Sequence, residues 1–376
     1  MSSEFIPVCE PALLGNEKQY VLDAIETGWI SSSGKYVQQF EQSFSSFCSV
    51  QHGVSVCNGT VAIHLALKAL GVGKGDEVII PSFTMIASAF AVCYVGAMPV
   101  FVDAEPETWN IDVRRIEEKI SPRTKVIMPV HIYGHPCDMD PILELARKFD
   151  LYVLEDAAEV HGATYKGNKC GSLGDLAAFS FFANKIVTTG EGGMVVTNNA
   201  HLAQQCRYFK NLCFPVDGER NYIHQDIGFN YRMSNVIAAL GLAQTEKASQ
   251  YVEMRRHNNA LFRKYLAGVR GLTFQQEKSW AKNVYWMNGI LVDPGEFGMT
   301  RNELAKSLKD KGIDSRSFFV GMHHQPSLQT YGCRCDGDYP VTDRLAAQGL
   351  YLPSGSSLQV PQIEYICETI AGLARP

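Results

Sequence analysis

Three short stretches carry residue types that could do chemistry together. In the first, Phe179-Ser180-Phe181-Phe182-Ala183-Asn184-Lys185-Ile186-Val187, one lysine lies between an apolar run and the turn Gly190-Glu191-Gly192-Gly193. An ammonium flanked by Phe181, Phe182, Ile186 and Val187 is partly desolvated, which favours the neutral amine and makes it a nucleophile of the Schiff-base kind. The same flanks suit a lysine whose stem lies on apolar surface with its charge in water, so the other stretches must decide.

The second stretch, Leu151-Tyr152-Val153-Leu154-Glu155-Asp156-Ala157-Ala158-Glu159, runs an apolar strand into two carboxylates and then a third. A buried carboxylate needs a cation or hydrogen-bond donors. Asp156 beneath a pyridinium nitrogen would meet that need and keep the ring protonated; an aspartate capping a helix is the other reading. The third stretch, Asn58-Gly59-Thr60, joins a strand to a helix. Free amides and the positive end of the helix dipole make such a junction an anion site, with Gly59 admitting a phosphate close to the backbone; a plain turn and helix cap use the same residues. Ser180 could add a hydroxyl to that phosphate. A strand-end aspartate, a lysine about thirty residues on and an upstream Gly-Thr cup together supply what pyridoxal 5'-phosphate requires: a ring-nitrogen partner, an amine anchor and a phosphate site.

The elements that must position these groups alternate regularly. Apolar strands are predicted at 54–56, 78–80, 100–102, 126–130, 152–154, 177–181 and 194–196, most of them separated by helices such as 61–70, 86–95, 112–120 and 141–149. Continuous apolar strands joined by helices imply an α/β fold with a mostly parallel seven-stranded sheet sandwiched by helices, with ligands at the strand C-termini. Helices over 15–26 and 37–47 precede it. Helices over 201–209 and 234–252 follow, the latter long enough to link two domains. Beyond it the pattern shifts to charged helices (301–311), strands at 287–292 and 314–319, and Gly/Ser loops. We expect a large ligand-binding domain over 1–250 and a smaller C-terminal α+β domain over 251–376.

A chain of 376 residues with 46% hydrophobic content can build both. A formal charge of −5 without like-charge runs offers no footprint for nucleic acid or an anionic membrane surface. The opening residues lack a basic and apolar leader, no run reaches the roughly 18 apolar residues of a membrane span, and 11 scattered cysteines suit a reducing compartment. A cytoplasmic protein is the expectation. Cys333 and Cys335 lack a second pair or a histidine at ligand spacing, so no metal is expected. Gly71-Val72-Gly73-Lys74-Gly75 follows a helix and not a strand, so it is a helix end and no dinucleotide fingerprint.

The blocks Asn58-Gly59-Thr60, Glu155-Asp156-Ala157-Ala158-Glu159, Ser180 to Lys185, Gly190-Glu191-Gly192-Gly193 and Gly228-Phe229-Asn230-Tyr231-Arg232-Met233 resemble those of the DegT/StrS family of nucleotide-sugar aminotransferases, over nearly the whole chain. The resemblance implies a fold-type I pyridoxal phosphate-dependent transferase working as a homodimer, with active sites shared across the interface. It implies that Lys185 links covalently to the cofactor and shuttles protons, that Asp156 pairs with the pyridine nitrogen, and that Glu159 lies near the ring hydroxyl. Gly59, Thr60 and Ser180 would hold the phosphate, joined by Asn230 from the other subunit; as a plain residue Asn230 is a loop amide. Met85 stands where relatives usually carry an aromatic on the ring face, and a thioether can serve there. A 3-dehydratase of the same fold carries histidine in place of the lysine, so Lys185 argues for amination.

Thr27 to Ser32, His131 to Asp140, Ser315-Arg316 and His323 are similar to the branch that aminates GDP-4-keto-6-deoxy-D-mannose, with L-glutamate as donor; a UDP- or dTDP-linked keto-deoxy sugar is the alternative substrate. Trp29, Ser31, His131, Arg316 and His323 are the candidate sugar or diphosphate contacts, Arg316 for its planar donors. Each of Trp29, His131, Arg316 and His323 equally suits a purely structural task. Ser317 and Gly321 depart from this branch, which tends to carry proline there.

Overall fold

The computed structural model describes residues 5–216 and 222–375; Met1 to Glu4, part of the leader argument, lie outside them. The seven predicted strands form one sheet: β1 (His52–Val56), β2 (Glu77–Pro81), β3 (Met98–Val102), β4 (Thr124–Ile127), β5 (Tyr152–Asp156), β6 (Leu176–Ser180) and β7 (Gly193–Thr197). The order is β1-β7-β6-β5-β4-β2-β3. Pairs β2/β3, β2/β4, β4/β5 and β5/β6 are parallel, and β7 runs antiparallel to both neighbours. Burial of β2 and β7 at every position explains their uninterrupted apolar character.

Helices α1 (Glu17–Glu26), α2 (Lys35–Phe47), α3 (Gly59–Ala69), α4 (Ile86–Tyr94), α5 (Met139–Phe149), α6 (Ala200–Lys210) and α7 (Asn235–Glu246) accompany the sheet. The predicted helix over 112–120 is instead two 3-10 turns, Val113–Arg115 and Glu117–Lys119. Its charged residues leave Ile116 as the one fully buried side chain of the stretch, too narrow an apolar stripe for an α-helix. The predicted helix over 234–252 is two helices broken at Lys247, α7 and α8 (Ala248–Tyr265). Packing separates them. Helix α7 lies against α1 and α2, where a Cβ on Gly241 would stand 2.5 Å from the Phe40 ring. Helix α8 reaches the second sheet, donating from Arg255 to the Trp286 carbonyl (2.8 Å) and from Asn259 to Asn288 (2.9 Å).

That second sheet is antiparallel, β8 (Leu272–Phe274), β9 (Asn288–Val292), β11 (Gly349–Leu352) and β10 (Arg316–Ser317), in that order. The strand predicted over 314–319 is paired only at Arg316–Ser317. Helices α9 (Arg301–Asp310), α10 (Pro340–Gln348) and α11 (Val360–Leu373) belong to this region, and Phe262, Phe297, Leu304, Ile363 and Ile370 form its core. The expected division at 250/251 falls inside α8. Residues near the start bond across it, with Ile6 N–H donating to Gly312 O (2.8 Å) and Ser354 N–H to Val8 O (2.7 Å).

The end of β5 organises the sheet interior. Glu155 is fully buried, and its carboxylate accepts from the amides of Gly171, Leu173 and Gly174 at 2.8, 2.8 and 2.9 Å and contacts His131 Nε2 at 3.0 Å. It pins the loop before β6. Removing it strands three amides and an imidazole, so Glu155→Ala should lower unfolding free energy by about 3–5 kcal/mol. Glu155→Gln, which keeps one acceptor oxygen, should cost less. Urea unfolding of both variants measures this, and a loss under about 1 kcal/mol for Glu155→Ala would overturn the assignment.

Candidate active site

The C-terminal ends of β1, β5 and β6 open into one cavity of about 620 Å³. Each chemical residue reaches it for a local reason. Asn58 leaves β1 extended (φ −165°) and its Oδ1 accepts from Val61 N–H at 3.0 Å, capping α3 and leaving the first-turn amides of Gly59 and Thr60 facing the cavity rim. A Cβ at residue 59 would stand 2.6 Å from Ser180 Cβ, and one at Gly193 would stand 2.3 Å from the Asn58 carbonyl oxygen. Only glycines let β1, β6 and β7 close this cup.

Asp156 ends β5 pointing opposite to Glu155, as strand alternation demands. Its Oδ2 accepts from Ser88 Oγ at 2.7 Å and its Oδ1 from the Ala158 amide at 3.3 Å. No helix starts at Asp156, which removes the helix-cap reading. Burial raises the Asp156 pKa, opposed by the Ser88 hydrogen bond and more weakly by the charge of Lys185. Glu159 is buried beside it, accepting from the Tyr133 amide at 2.7 Å, and burial pushes its carboxyl up to about 7.

Lys185 sits on a loop closed by Phe181 N–H to Gly192 O (2.8 Å) and Thr189 N–H to Phe181 O (2.9 Å). Phe181, Ile186 and Val187 are buried as expected, whereas Phe182 is 45% exposed and lines the cavity. The ammonium lies 3.6 Å from the centre of the Trp286 ring and 3.9 Å from Glu159 Oε1. Burial lowers its pKa, with Glu159 and then Asp156 opposing. Trp286 is itself fixed by a 2.8 Å hydrogen bond from Nε1 to the Asn184 carbonyl. Sequence reasoning missed Trp286, Tyr351 and Phe319, which line the cavity from the C-terminal region, and Ser88 from α4. An aromatic just before a strand, at Trp286, was the one available signal.

Of the predicted site residues, Gly59, Thr60, Met85, Asp156, Glu159, Ser180 and Lys185 all line this cavity. The sugar candidates do not gather there. His131 is fully buried, with Nε2 against Glu155 and Nδ1 accepting from the Cys137 amide at 2.9 Å, so no ring nitrogen remains for a sugar. His323 is likewise occupied, by Ser82 Oγ at 2.7 Å and Asp343 Oδ1 at 3.0 Å. Trp29 and Ser31 lie apart, their carbonyls accepting from the Asn235 side chain and amide, both at 2.6 Å. Asn230 is exposed and holds Arg232 at 2.7 Å. Arg316 pairs with Asp314 at 3.2 Å and neighbours Tyr351 across β10 and β11.

The cup, the buried carboxylate, the desolvated amine and a buried Asn184 Oδ1 that has no hydrogen-bond partner fit a polar, phosphorylated aromatic cofactor. Sheet and site together define a fold-type I, pyridoxal 5'-phosphate-dependent aminotransferase. The S. venezuelae DesV crystal structure superposes with a TM-score of 0.92 over 100% of both chains at 31% identity. The chain belongs to the DegT/DnrJ/EryC1/StrS aminotransferase family, whose profile matches residues 11–371. It is 45% identical to a GDP-perosamine synthase of Escherichia coli O157:H7 over 98% of both chains, and 45% identical to one of Caulobacter vibrioides over 96% of both.

The charges around Lys185 set its reactivity. Glu159→Gln should raise the rate at which an amine-directed reagent modifies Lys185 above pH of about 7, where the native carboxyl is ionised and holds the ammonium, and leave the rate unchanged below. Trp286→Leu should raise it across the range by removing the ring face, with Trp286→Phe close to the native protein. Peptide mass spectrometry of the labelled cofactor-free protein reads both. Equal rates in Glu159→Gln and native protein at high pH would refute the coupling.

Proposed function

We propose that this protein transfers the amino group of L-glutamate to C4 of GDP-4-keto-6-deoxy-D-mannose, forming GDP-perosamine. The observation that carries the reading is the 45% identity, over nearly the full length, to two proteins named GDP-perosamine synthase. Such a product is an activated sugar donor, which suits O-antigen assembly in the cytoplasm. Among the described residues no helix is long and apolar enough to cross a membrane.

Bound pyridoxal phosphate supplies an electron sink and a carbonyl that exchanges amines. The protein supplies the rest. The amides of Gly59 and Thr60 and the Ser180 hydroxyl would hold the phosphate at the positive end of α3. Asp156, its carboxylate fixed by the Ser88 hydroxyl, would face the pyridine nitrogen and favour its protonated form. Met85, whose Sδ accepts from the Ala87 amide at 3.0 Å, lines the cavity and would pack against the cofactor. Lys185 would anchor the cofactor through its amine, and that amine is the group placed to carry a proton to and from the amino donor's Cα. Glu159 and the Trp286 ring flank the lysine ammonium and would keep it within the cavity when it is not bound to the cofactor. The same amine would return a proton in the opposite sense when the keto sugar occupies the site.

Asn230 is exposed beside the half-buried Arg232 and does not line the cavity of its own chain, and neither do the exposed Trp29 and Ser31. In a homodimer, Asn230 of the partner subunit would complete the phosphate site, and the monomer would be inactive.

Two measurements test this. Incubation with glutamate and GDP-, UDP- or dTDP-linked 4-keto-6-deoxy sugars should give a mass-identified amino sugar from the GDP substrate; turnover of the UDP or dTDP substrate alone would overturn the nucleotide assignment. Lys185→Ala should lower turnover by at least about 10²- to 10⁴-fold, the span of a general acid–base group. Borohydride should fix the cofactor on the native chain and not on this variant.

A further inference from the structure

Outside the cavity, His323, His324 and Asp343 bring three ligand atoms within 4.8 Å of one another. Both imidazoles aim Nε2 at the same carboxylate oxygen, Asp343 Oδ1, at 3.0 and 2.8 Å. The histidines form a 3-10 turn, Met322–His324, and the aspartate lies in the first turn of α10, so the chain folds back to make the group. We propose that His323, His324 and Asp343 form a binding site for a late first-row divalent cation, Zn²⁺ above all.

The separations fit such an ion. Ligands about 2.0–2.1 Å from zinc stand about 2.9 Å apart at right angles and about 3.4 Å apart in a tetrahedron; the two imidazole–carboxylate separations of 3.0 and 2.8 Å lie near that range, and the two imidazole nitrogens, within 4.8 Å of each other, need only close on the same centre. The set of two histidines and one carboxylate is that of zinc and related ions, not of calcium or magnesium, which take oxygen. The site is also supported from behind. Ser82 Oγ contacts His323 Nδ1 at 2.7 Å, which directs the Nε2 lone pair outward when Nδ1 carries the proton. The Tyr339 ring stacks on His323 at 4.3 Å and 19°, and Gln329 Nε2 donates to the His323 carbonyl at 3.1 Å. His323 is 6% exposed, whereas His324 and Asp343 are 54% and 50% exposed, so one side stays open to an incoming ion and water.

The other cluster of this kind, His131, Glu155 and Cys170, is sealed, and its carboxylate is already taken by three amides. The surface site ties together separate stretches. Met322 N–H donates to Ser82 O at 2.8 Å, and the Thr342 amide and hydroxyl donate to Asp103 at 2.9 and 2.7 Å. A bound ion would add a cross-link between α10 and the turn that follows Phe319, a cavity-lining residue.

Titration of the tag-free holoenzyme with Co²⁺ tests the proposal. We expect one ion per chain, a visible d–d spectrum without thiolate charge transfer, displacement by Zn²⁺, and a thermal midpoint that rises with Zn²⁺. His324→Ala and Asp343→Asn should each weaken binding by at least about 10-fold and abolish the thermal shift, and Ser82→Ala should weaken it by about 10-fold or more. Circular dichroism confirms that each variant is folded. Binding that shows a thiolate spectrum from Cys93, Cys333 or Cys335, persists unchanged in both ligand variants, or fails to saturate at millimolar Co²⁺ overturns the site.

Discussion

The active site depends on keeping a lysine ammonium out of water. A lone buried ammonium is costly enough that it sheds its proton or finds charge, and Lys185 is given enough charge to stay put and enough burial to stay reactive. The opposing groups come from distant places. Glu159 and Asp156 follow β5, and the Trp286 ring precedes β9. Trp286 is locked to the backbone of the residue before the lysine, so the C-terminal region is part of the site and not an appendage to it. The two sheets therefore have to dock in one relative position for Lys185 to work, and Arg255, bonded to the Trp286 carbonyl and to Ser356 Oγ, helps fix it from α8.

The second constraint is strand alternation at the end of β5. Consecutive carboxylates there face opposite sides, and each side has a different task. Glu155 has no free oxygen lone pair to spare for chemistry: three amides and an imidazole use it to hold the loop that leads into β6. Asp156, one residue on, has a hydroxyl and a single long amide contact, which leaves it able to face a cation. The rigid neighbour makes the functional one precise in position, because β5 cannot shift without breaking the Glu155 bonds.

The seven strands were legible because each contains a short apolar run, the signature of burial on both faces, and every one overlaps the run that predicts it, the strand expected over 126–130 being shifted to Thr124–Ile127. The stretches around residues 59, 156 and 185 were legible because local spacing puts each at a strand end. What sequence could not show is the fate of polar aromatics. His131 and His323 carry the residue type of a sugar contact, yet neither lines the cavity: the first is spent on Glu155 and the Cys137 amide, and the second faces Ser82 and Asp343. Trp286, Tyr351 and Phe319 lay more than a hundred residues from the lysine, and only tertiary packing brings them to the cavity. The stretch 112–120 departs from a helix for a different reason: charged residues leave only Ile116 fully buried, with Val113 and Ile120 partly buried beside it, and two 3-10 turns serve that short contact.

The departures at Ser317 and Gly321 can now be read physically. A Cβ at residue 321 would stand 2.6 Å from His323 Cε1 and 2.8 Å from Thr342 Cγ2, so the imidazole occupies the space a proline ring would need. Glycine there is what allows His323 to turn in, stack on Tyr339 and reach Ser82. Ser317 lies on an edge strand, paired on one side with Leu350, where proline would be tolerated and serine is too. Gly321 is therefore coupled to the packing of the 322–324 turn, and Ser317 is not. The departure at Gly321 thus bears first on how that turn is held against Ser82 and α10, and reaches the cavity only through Phe319, two residues upstream.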